Sequence, residues 1–430
     1  MLDRRCYGAD EAPCRKGRAY PPLYLQQPRI PNPLKLDFSN TAIAYQHASK
    51  ADLRRASALF GLLSSPALVS VGAALSLWSL KWRLPVKGLI RATVFRQFCG
   101  GETVAESRPS IQRLWQSKVG SILDYSIEGQ STDSAFDQTV DISLQTIALA
   151  AQEPGLSLAV FKMTGIAPHD LLHKISAESE LGPEDQEALE KVRARIRRMA
   201  HFASQTGRSL MIDAEETWIQ AAIDGFAREA MQEFNRDKPV VMTTIQCYRV
   251  GRVAQLKEDL AHAQANGYHY GVKLVRGAYM EKERERAAAE GYPSPIQPDK
   301  AATDQEYDAC LRIMLEALKS PEDPGRVALV IGSHNEGSNQ LGAELLVKQG
   351  WKPMEAPVWF AQLYGMSDFI SFSLSQNGFR VAKYLPFGPI RNVMPYLLRR
   401  AQENTSVAGQ TGRELAMLRK EIKRRSTTKA

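Results

Sequence analysis

Two adjacent arginines, Arg399 and Arg400, lie late in a stretch whose apolar residues recur at three- and four-residue spacing, a pattern that predicts an amphipathic helix. Paired guanidinium groups stay charged and bind a carboxylate or phosphate through two parallel hydrogen bonds. The same pair also fits a solvated helix face, where Arg399 would form a weak ion pair with Glu403. The stretch alone therefore leaves an anion site and an ordinary surface both open.

Other polar residues lie inside or directly after short apolar runs. Lys162 falls within such a run, where a charge is costly unless it is paired. The remaining ones end their runs: Asp213, Glu215 and Glu216; Gln246; Lys273 and Arg276 before Gly277, Ala278 and Tyr279; Ser333, His334 and Asn335; Gln362 and Leu363; and Tyr384. Each has an ordinary structural explanation by itself, such as a paired lysine or a turn-closing asparagine. Their convergence on one place would indicate a site.

The runs that carry these residues are regular enough to predict a fold. Near-continuous apolar runs are typical of strands buried on both faces, and eight of them alternate with helix-like segments: 120–127, 156–165, 208–215, 239–247, 270–277, 327–335, 357–363 and 380–388. Eight such units favour an α/β fold, a (β/α)8 barrel, over an open sheet. Because functional groups of such barrels cluster at the C-terminal ends of the strands, we expect one cationic mouth, with Asp213 and Glu128 as countercharges.

The domain organisation follows from composition along the 430 residues, of which 44% are hydrophobic. We predict a disordered, Pro-rich extension at 1–35, a helical region at 36–115 that packs on the barrel, the barrel domain at 116–408, and a basic amphipathic tail at 409–430. The long uncharged run from Ala56 to Leu80 contains Pro66, which favours two packed helices over a membrane span.

Several classes of function lack sequence support. The net charge of +8 is mild, and no basic block interleaved with aromatics indicates nucleic-acid binding. The five cysteines are scattered without a CxxC pair, and no strong metal motif is present. There is no phosphate-binding Walker loop, no GxGxxG after a first strand and no nucleophile elbow. The residue types thus indicate a site for an acid and a phosphate-bearing cofactor, without specifying which acid or which cofactor.

Taken together, the motifs resemble one known family. The segments SILDYSIEG, FKMTG, IDAEE, KLVRGAYMEKER, SHNEGS, FAQLYGM and YLPFGP…PYLLRRAQENTS, with FRQFCGGE before them, resemble the proline dehydrogenase family in order from about Phe38 to Val407. The resemblance implies an FAD enzyme on a distorted (β/α)8 barrel that oxidises L-proline to Δ1-pyrroline-5-carboxylate. A hydride would pass from proline C5 to flavin N5, and the eighth helix would pack over the flavin with Arg399 and Arg400 facing inward.

The resemblance also implies roles for particular residues. Arg399 and Arg400 would clamp the substrate carboxylate with Lys162 nearby, Asp213 would lie beside the substrate ring, and Glu128 would pair with the first arginine. The residues implied to wall the ring are Tyr384, Tyr279, Ala278 and Leu363. The residues implied to hold FAD are Gln246, Lys273, Arg276, Gly277, Ser333, His334, Asn335, Glu403 and, in a loop that varies in the family, Lys300.

Two features narrow the type within the family. Lys273 and Met280-Glu281 resemble the monofunctional type, bacterial or mitochondrial, so a separate pyrroline-5-carboxylate dehydrogenase is expected to take the product. The family typically passes electrons to a membrane quinone, so the resemblance implies a peripheral membrane contact. The protein would then be cytoplasmic and peripheral at the inner face of the membrane, or it would lie in the mitochondrial matrix at the inner membrane. The tail offers one such contact through Leu415, Leu418 and Ile422 amid basic residues, although a helix capping the barrel explains it equally well.

The resemblance also implies that substrate choice depends largely on Tyr384, whose bulk would crowd the ring carbon that carries the hydroxyl of 4-hydroxyproline, whereas relatives that favour hydroxyproline carry a small residue there. We therefore expect proline to be preferred, by about 1–3 kcal/mol. The alternatives are a hydroxyproline dehydrogenase, another flavin barrel such as a folate reductase, and a catalytically silent barrel that binds nucleic acid through its basic tail.

Overall fold

A computed structural model describes residues 36–65, 87–126, 130–406 and 410–427, with a few single residues near the first range; at 402–406, 410 and 411 it describes the backbone only. Glu128, the side chain of Glu403 and nearly all of the predicted extension at 1–35 lie outside this description.

Eight parallel strands form a closed barrel in which each strand pairs with the next along the chain and the last pairs with the first. They are Val119–Tyr125 (β1), Leu156–Lys162 (β2), Leu210–Asp213 (β3), Val241–Gln246 (β4), Tyr270–Val275 (β5), Val327–Gly332 (β6), Val358–Leu363 (β7) and Val381–Phe387 (β8). Each overlaps one of the eight predicted runs, so the predicted (β/α)8 barrel is confirmed.

The strands are buried on both faces, as their apolar composition predicts. One face fills the barrel interior with Ile122, Leu158, Val160, Met211, Met242, Ala328, Val330, Ala361, Ala382 and Tyr384. Since successive side chains of a strand alternate between faces, a residue two positions after an interior one also points inward. This rule aims Asp124, Lys162, Asp213 and Gln246 into the mouth at the C-terminal ends of their strands.

The helices alternate with the strands, and polar side chains start several of them. Before the barrel come Thr41–Ala44 (α1), Lys50–Leu63 (α2), Lys87–Ile90 (α3), a π turn at Arg91–Phe95, Arg96–Phe98 (α4) and Val104–Gln116 (α5). Around it lie Asp133–Gln152 (α6), His169–Ser176 (α7), Pro183–Thr206 (α8), Thr217–Phe234 (α9), Arg252–Ala265 (α10), Met280–Glu290 (α11), Lys300–Leu318 (α12), Glu336–Lys348 (α13), Asp368–Gln376 (α14), Ile390–Ser406 (α15) and Gln410–Thr427 (α16). Asp299 and Asn335 cap α12 and α13 by accepting from Ala302 N–H at 2.8 Å and Ser338 N–H at 3.1 Å.

The C-terminal helix α16 packs on the N-terminal arm. Met417 and Leu418 are buried, and the Arg425 guanidinium donates to the carbonyls of Tyr45 and Ala48, each at 2.6 Å. Glu421, whose side chain is fully buried, accepts from Arg424 at 2.7 Å and from Arg425 at 2.6 Å. Of the two predictions for the tail, the structure favours the helix that caps the fold, because its apolar face is already covered.

The uncharged run from Ala56 to Leu80 begins inside α2, which ends at Leu63, before Pro66 as predicted. Most of the second half of the run lies outside the described residues. Within the described ranges, no helix combines the length and the apolar composition that crossing a membrane requires. The domain boundaries given above stay predictions.

Asn235 provides a test of the packing between α9 and the barrel. Its buried side chain donates to the carbonyls of Val241 and His269, each at 2.8 Å, and accepts from the amides of Val240 and Val241. We expect Asn235→Ala to lower the free energy of unfolding by about 2–4 kcal/mol, because it removes four side-chain hydrogen bonds to backbone groups, most of them buried.

Urea denaturation measures this change. The control is Asn266→Ala, since Asn266 is exposed and donates only to the carbonyl of His262, so the expected loss is below about 0.5 kcal/mol. Equal losses in the two variants would contradict the role given to Asn235.

Candidate active site at the barrel mouth

A buried carboxylate, Asp213, lies at the centre of the mouth. It ends β3, and its two oxygens accept from the Lys273 ammonium, from the Tyr384 hydroxyl, and from the Lys162 ammonium at 3.4 Å. These donors come from β5, β8 and β2, so four strands meet at this carboxylate. The predicted convergence of Lys162, Asp213, Lys273 and Tyr384 is therefore present in the structure.

Electrostatics fixes the protonation states of this group. Burial by itself would raise the pKa of Asp213, but the Lys273 and Lys162 charges, with hydrogen bonds from Lys273 and Tyr384, hold it below its ordinary value. Burial, with the nearby Asp124 and Asp213 charges, raises the pKa of Tyr384 well above its ordinary value. Asp213 is thus a permanent anion and Tyr384 a neutral hydrogen-bond donor, whose ring lies 4.8 Å from the Lys273 nitrogen.

Asp124 is a member of this cluster that the sequence analysis did not select. It is the last residue but one of β1 and is almost fully buried. It accepts from Lys162 at 3.2 and 3.3 Å and from the Ser126 hydroxyl. A charge inside the apolar run SILDYSI was the available signal, of the same kind that selected Lys162. The two lysines and two aspartates make this inner cluster neutral in sum.

Glu215, which the sequence analysis noted without a role, supports the same edge of the barrel. Its buried carboxylate accepts from the amide of Thr164 at 3.0 Å and from the Thr164 hydroxyl, which fixes the turn after Lys162. Its carbonyl accepts from the Gln246 side chain at 2.7 Å. Burial raises the pKa of Glu215 to about 7.

Arg399 and Arg400 lie on α15, where each guanidinium faces an aromatic ring. The Arg399 guanidinium carbon is 5.4 Å from the centre of the Tyr279 ring, and that of Arg400 is 5.1 Å from the Tyr396 ring. Arg400 is only 6% exposed, so a fully solvated face for this pair is wrong. The alternative pairing of Arg399 with Glu403 lies outside the described side chains.

A second polar cluster lies at the ends of β5 and β6. Arg276 donates to Asp304 at 2.7 Å, to the Ser333 hydroxyl at 2.8 Å and to the Ser338 hydroxyl at 3.0 Å. Its guanidinium lies over the Tyr307 ring at 4.4 Å. Lys300 also pairs with Asp304, with its own side chain largely exposed. Three polar side chains and one aromatic ring therefore hold this guanidinium group beside the mouth.

The backbone after β5 comes close to a neighbouring ring. Gly277 has φ of +142°, and a Cβ there would lie 2.4 Å from the Tyr248 ring, so only glycine fits. Gly277 and Ala278 are exposed and Tyr279 is buried. Leu363 ends β7 and packs with Tyr384 at the rim of the barrel interior. The predicted wall residues Tyr279, Leu363 and Tyr384 thus belong to elements that surround the mouth.

His334 and Asn335 follow β6 in the same region. The Leu363 amide donates to His334 Nε2 at 3.4 Å, and His334 Nδ1 lies 2.8 Å from the Ser367 hydroxyl. Asn335 caps α13, and this structural role is sufficient to explain an asparagine at this position even if the residue binds no ligand. Gln362, noted in the sequence, is buried and bonds to Ser333, Asn339 and Ser371, so its part is structural.

These features define a class of protein: a closed parallel (β/α)8 barrel whose C-terminal mouth holds buried, paired lysines beneath a helix that carries two arginines. A family model described as "Proline dehydrogenase" matches residues 107–413. By this match, which covers well over half of the sequence, the chain belongs to the proline dehydrogenase family.

Individual relatives agree with the family match. The chain is 32% identical over 381 residues to proline dehydrogenase 1, mitochondrial, of Dictyostelium discoideum, covering 79% of this chain and 66% of that protein. It is 30% identical to proline dehydrogenase 2, mitochondrial, of Arabidopsis thaliana, covering 91% and 90%. It is 31% identical to hydroxyproline dehydrogenase of Xenopus laevis, again covering 91% and 90%.

The chain spans only part of the length of several relatives, and it resembles solved structures at low sequence identity. The chain spans less than two thirds of several relatives, including 39% and 37% of the Caenorhabditis elegans and Drosophila melanogaster proteins. Among solved structures, proline utilization A from Bdellovibrio bacteriovorus matches with a TM-score of 0.65 at 20% identity, covering 86% of this chain and 38% of that one. At that identity the structural likeness shows the fold.

The central carboxylate gives a second test. We expect Asp213→Asn to lower the free energy of unfolding by about 2–4 kcal/mol, because it leaves two buried ammonium groups without a countercharge. In the double variant with Lys273→Met, the loss should be smaller than the sum of the single losses, since the second change removes one unpaired charge.

A double-mutant cycle in urea measures this coupling. Asp323→Asn serves as the control, because Asp323 forms only an exposed i,i+4 pair with Lys319, and its expected effect is below about 0.5 kcal/mol. Strict additivity of the two core changes would contradict the pairing described here.

Proposed function

We propose that the chain oxidises L-proline to Δ1-pyrroline-5-carboxylate with FAD as its cofactor. The observation that carries the proposal is the Asp213 cluster with Lys162, Lys273 and Tyr384, formed at one barrel mouth in a chain of the proline dehydrogenase family. The reaction removes a hydride from C5 of the substrate and a proton from its nitrogen, so that a C=N bond forms.

In this proposal the substrate carboxylate binds to Arg399 and Arg400, with Lys162 as a third positive group. The rings of Tyr279 and Tyr396 support the assignment, because a cation held over an aromatic face keeps a defined orientation. Guanidinium groups match a carboxylate with two parallel hydrogen bonds. Glu128 is proposed to pair with Arg399 when the site closes.

The residues beside the mouth fit the phosphate-bearing part of FAD. Arg276 supplies a fixed guanidinium, and Gly277 leaves the backbone open to close approach. Ser333, His334, Asn335, Glu403 and the exposed Lys300 complete the proposed set. Gln246, which ends β4, and Lys273, which lies within the adjacent β5, are proposed to face the flavin ring. When bound, FAD supplies the acceptor for two electrons, taken as a hydride at N5.

The chain's own groups would hold the substrate ring and exclude water from it. Tyr384, Tyr279, Ala278 and Leu363 are proposed as its walls. Asp213 stays ionised next to two lysines, so it would act as a fixed negative charge beside the ring nitrogen, where positive charge develops as the C=N bond forms. Lys273 and Lys162 keep the position of that carboxylate constant.

The later steps are also proposals. Electrons would pass to a membrane quinone, which requires a peripheral contact at the inner face of a bacterial membrane or at the mitochondrial inner membrane. The pyrroline product would go to a separate pyrroline-5-carboxylate dehydrogenase. Since the apolar face of α16 is packed on the arm, that helix is a poor candidate for the membrane contact.

Hydroxyproline oxidation is the second candidate function, because the Xenopus laevis relative of that name aligns over 91% of this chain. Tyr384 favours proline. Its hydroxyl is tied to Asp213 and its ring lies beside Lys273, so the ring cannot swing away without breaking both contacts.

The carboxylate clamp can be tested with Arg399→Met. We expect the L-proline concentration for half-reduction of the flavin under anaerobic conditions to rise about 100-fold, because a charge-assisted pair of hydrogen bonds is lost. Flavin absorbance during titration measures this. Arg197→Met is the control, since Arg197 pairs with Glu233 on the outer surface.

Two results would count against the proposal. If the flavin of Arg399→Met is half-reduced at the same proline concentration as the wild-type flavin, Arg399 does not bind the substrate carboxylate. If the wild-type protein cannot take up FAD at all, the proposed FAD-dependent oxidation of proline is wrong.

Substrate choice can be tested with Tyr384→Ser. We expect the ratio of kcat/KM for L-proline to that for trans-4-hydroxy-L-proline to fall by about tenfold or more, because the crowding ring is removed. Tyr384→Phe keeps the ring and loses the hydroxyl, so it should keep the ratio even where overall activity drops. If the ratio is unchanged in Tyr384→Ser, or if the wild type prefers hydroxyproline, Tyr384 is not the residue that selects L-proline.

A further inference from the structure

The loop after β7, residues 364–367, is held by groups from outside the barrel's mouth. The Gln97 side chain, from α4 of the arm, donates to the Gly365 carbonyl at 2.9 Å. Lys383, fully buried on the outer face of β8, donates to the Met366 carbonyl. The Ser367 amide donates to the carboxylate of Glu414, which comes from α16. The C-terminal helix thus supplies one of the contacts that fix this loop.

The loop needs such contacts because its backbone is strained. Ser367 has φ of +50°, a left-handed conformation that a residue with a side chain adopts only when its surroundings require it. Gly365 has φ of +77°, and a Cβ there would lie 2.0 Å from the Gln97 carbonyl oxygen. Without the Glu414 carboxylate, the buried Ser367 amide would lose its acceptor on α16, and the strained turn would lose one of its restraints.

Ser367 passes this restraint to His334. The Leu363 amide donates to His334 Nε2, so the neutral ring carries its proton on Nδ1 and donates it to the Ser367 hydroxyl at 2.8 Å. The amide of the same Ser367 donates to Glu414, so the contacts of His334 and Glu414 meet at this one residue. Burial, with the Lys383, Arg400 and Arg276 charges nearby, lowers the pKa of His334 to about 3, which keeps the ring neutral and this direction of bonding unchanged.

We propose that Glu414 is a positioning residue of the cofactor site, which acts through Ser367 on the His334 ring and makes α16 part of that site. The inference rests on the proposed function, since it takes His334 as a contact of FAD. It also explains why a second carboxylate of α16, besides Glu421, is buried at 3% exposure although its partner is a loop amide and not an arginine. Burial and the Asp368 charge raise the pKa of Glu414 to about 7, so a neutral acceptor suits the position.

The test compares four variants in the full chain with FAD and without it. Glu414→Ala should raise the Kd for FAD about tenfold, as measured by quenching of flavin fluorescence in reconstituted apoprotein. Glu414→Gln keeps an acceptor for the Ser367 amide and should restore the Kd to within about twofold of wild type. Ser367→Ala removes the hydroxyl that accepts from His334 and should weaken FAD binding as Glu414→Ala does.

Glu421→Ala is the matched control, because Glu421 is buried on the same helix and pairs with Arg425, whose guanidinium donates to the Tyr45 and Ala48 carbonyls of the arm and not to residue 367. It should lower the Tm while the Kd for FAD stays unchanged. Hydrogen exchange of the 363–367 amides, measured in apoprotein, should speed up in Glu414→Ala and stay slow in Glu421→Ala.

The outcomes separate this inference from the proposed function. A wild type that binds FAD, with Glu414→Ala binding it equally well, overturns the inference alone. Equal weakening by Glu414→Ala and Glu421→Ala at equal loss of Tm also overturns it, since helix docking in general would then suffice. A wild type that binds no flavin overturns the proposed function, and unchanged exchange at 363–367 in Glu414→Ala overturns the contact itself.

Discussion

The site depends on one buried carboxylate. Asp213 accepts from two ammonium groups and a phenol that come from three other strands, and a carboxylate in that position is tolerated only because it is paired. The pairing works in both directions, since Lys162 and Lys273 would be equally costly to bury alone. Any change in the relative positions of β2, β3, β5 and β8 would therefore be opposed by charge as well as by packing.

Closure of the barrel is what brings these groups together. Pairing of β1 with β8 in register along all seven residues of β1 places Asp124 and Tyr384 on the same side of the mouth as Lys162 and Asp213. The alternation of side chains along each strand then decides direction. Tyr384 points inward to Asp213, while its neighbour Lys383 points outward and pairs with Asp368 at 2.8 Å.

Two parts outside the barrel contact the loop after β7. The arm contributes Gln97 to the loop after β7, and α16 contributes Glu414 to the same loop, so the two ends of the described chain meet at one turn. The same two regions also pack on each other through Glu421 and Arg425. The helix that the sequence offered as a membrane contact or as a cap is thus a structural neighbour of the proposed cofactor residues.

The sequence by itself determined the eight strands and most of the mouth. A strand buried on both faces leaves a near-continuous apolar run, and a charge inside such a run, such as Lys162, must have a partner, so both are visible from residue types alone. The order of the runs was also sufficient for the barrel, because eight alternating units have few other ways to bury their strands.

Only the tertiary structure decided which partners meet. Asp124 and Asp213 are far apart in sequence and are joined through Lys162, and Glu414 reaches a loop 47 positions away. The packing of α16 on the arm could not be read from its pattern either, because an amphipathic basic helix suits a membrane surface and a protein surface equally. Local sequence fixes which face of an element is apolar, whereas the identity of what covers that face is a property of the whole fold.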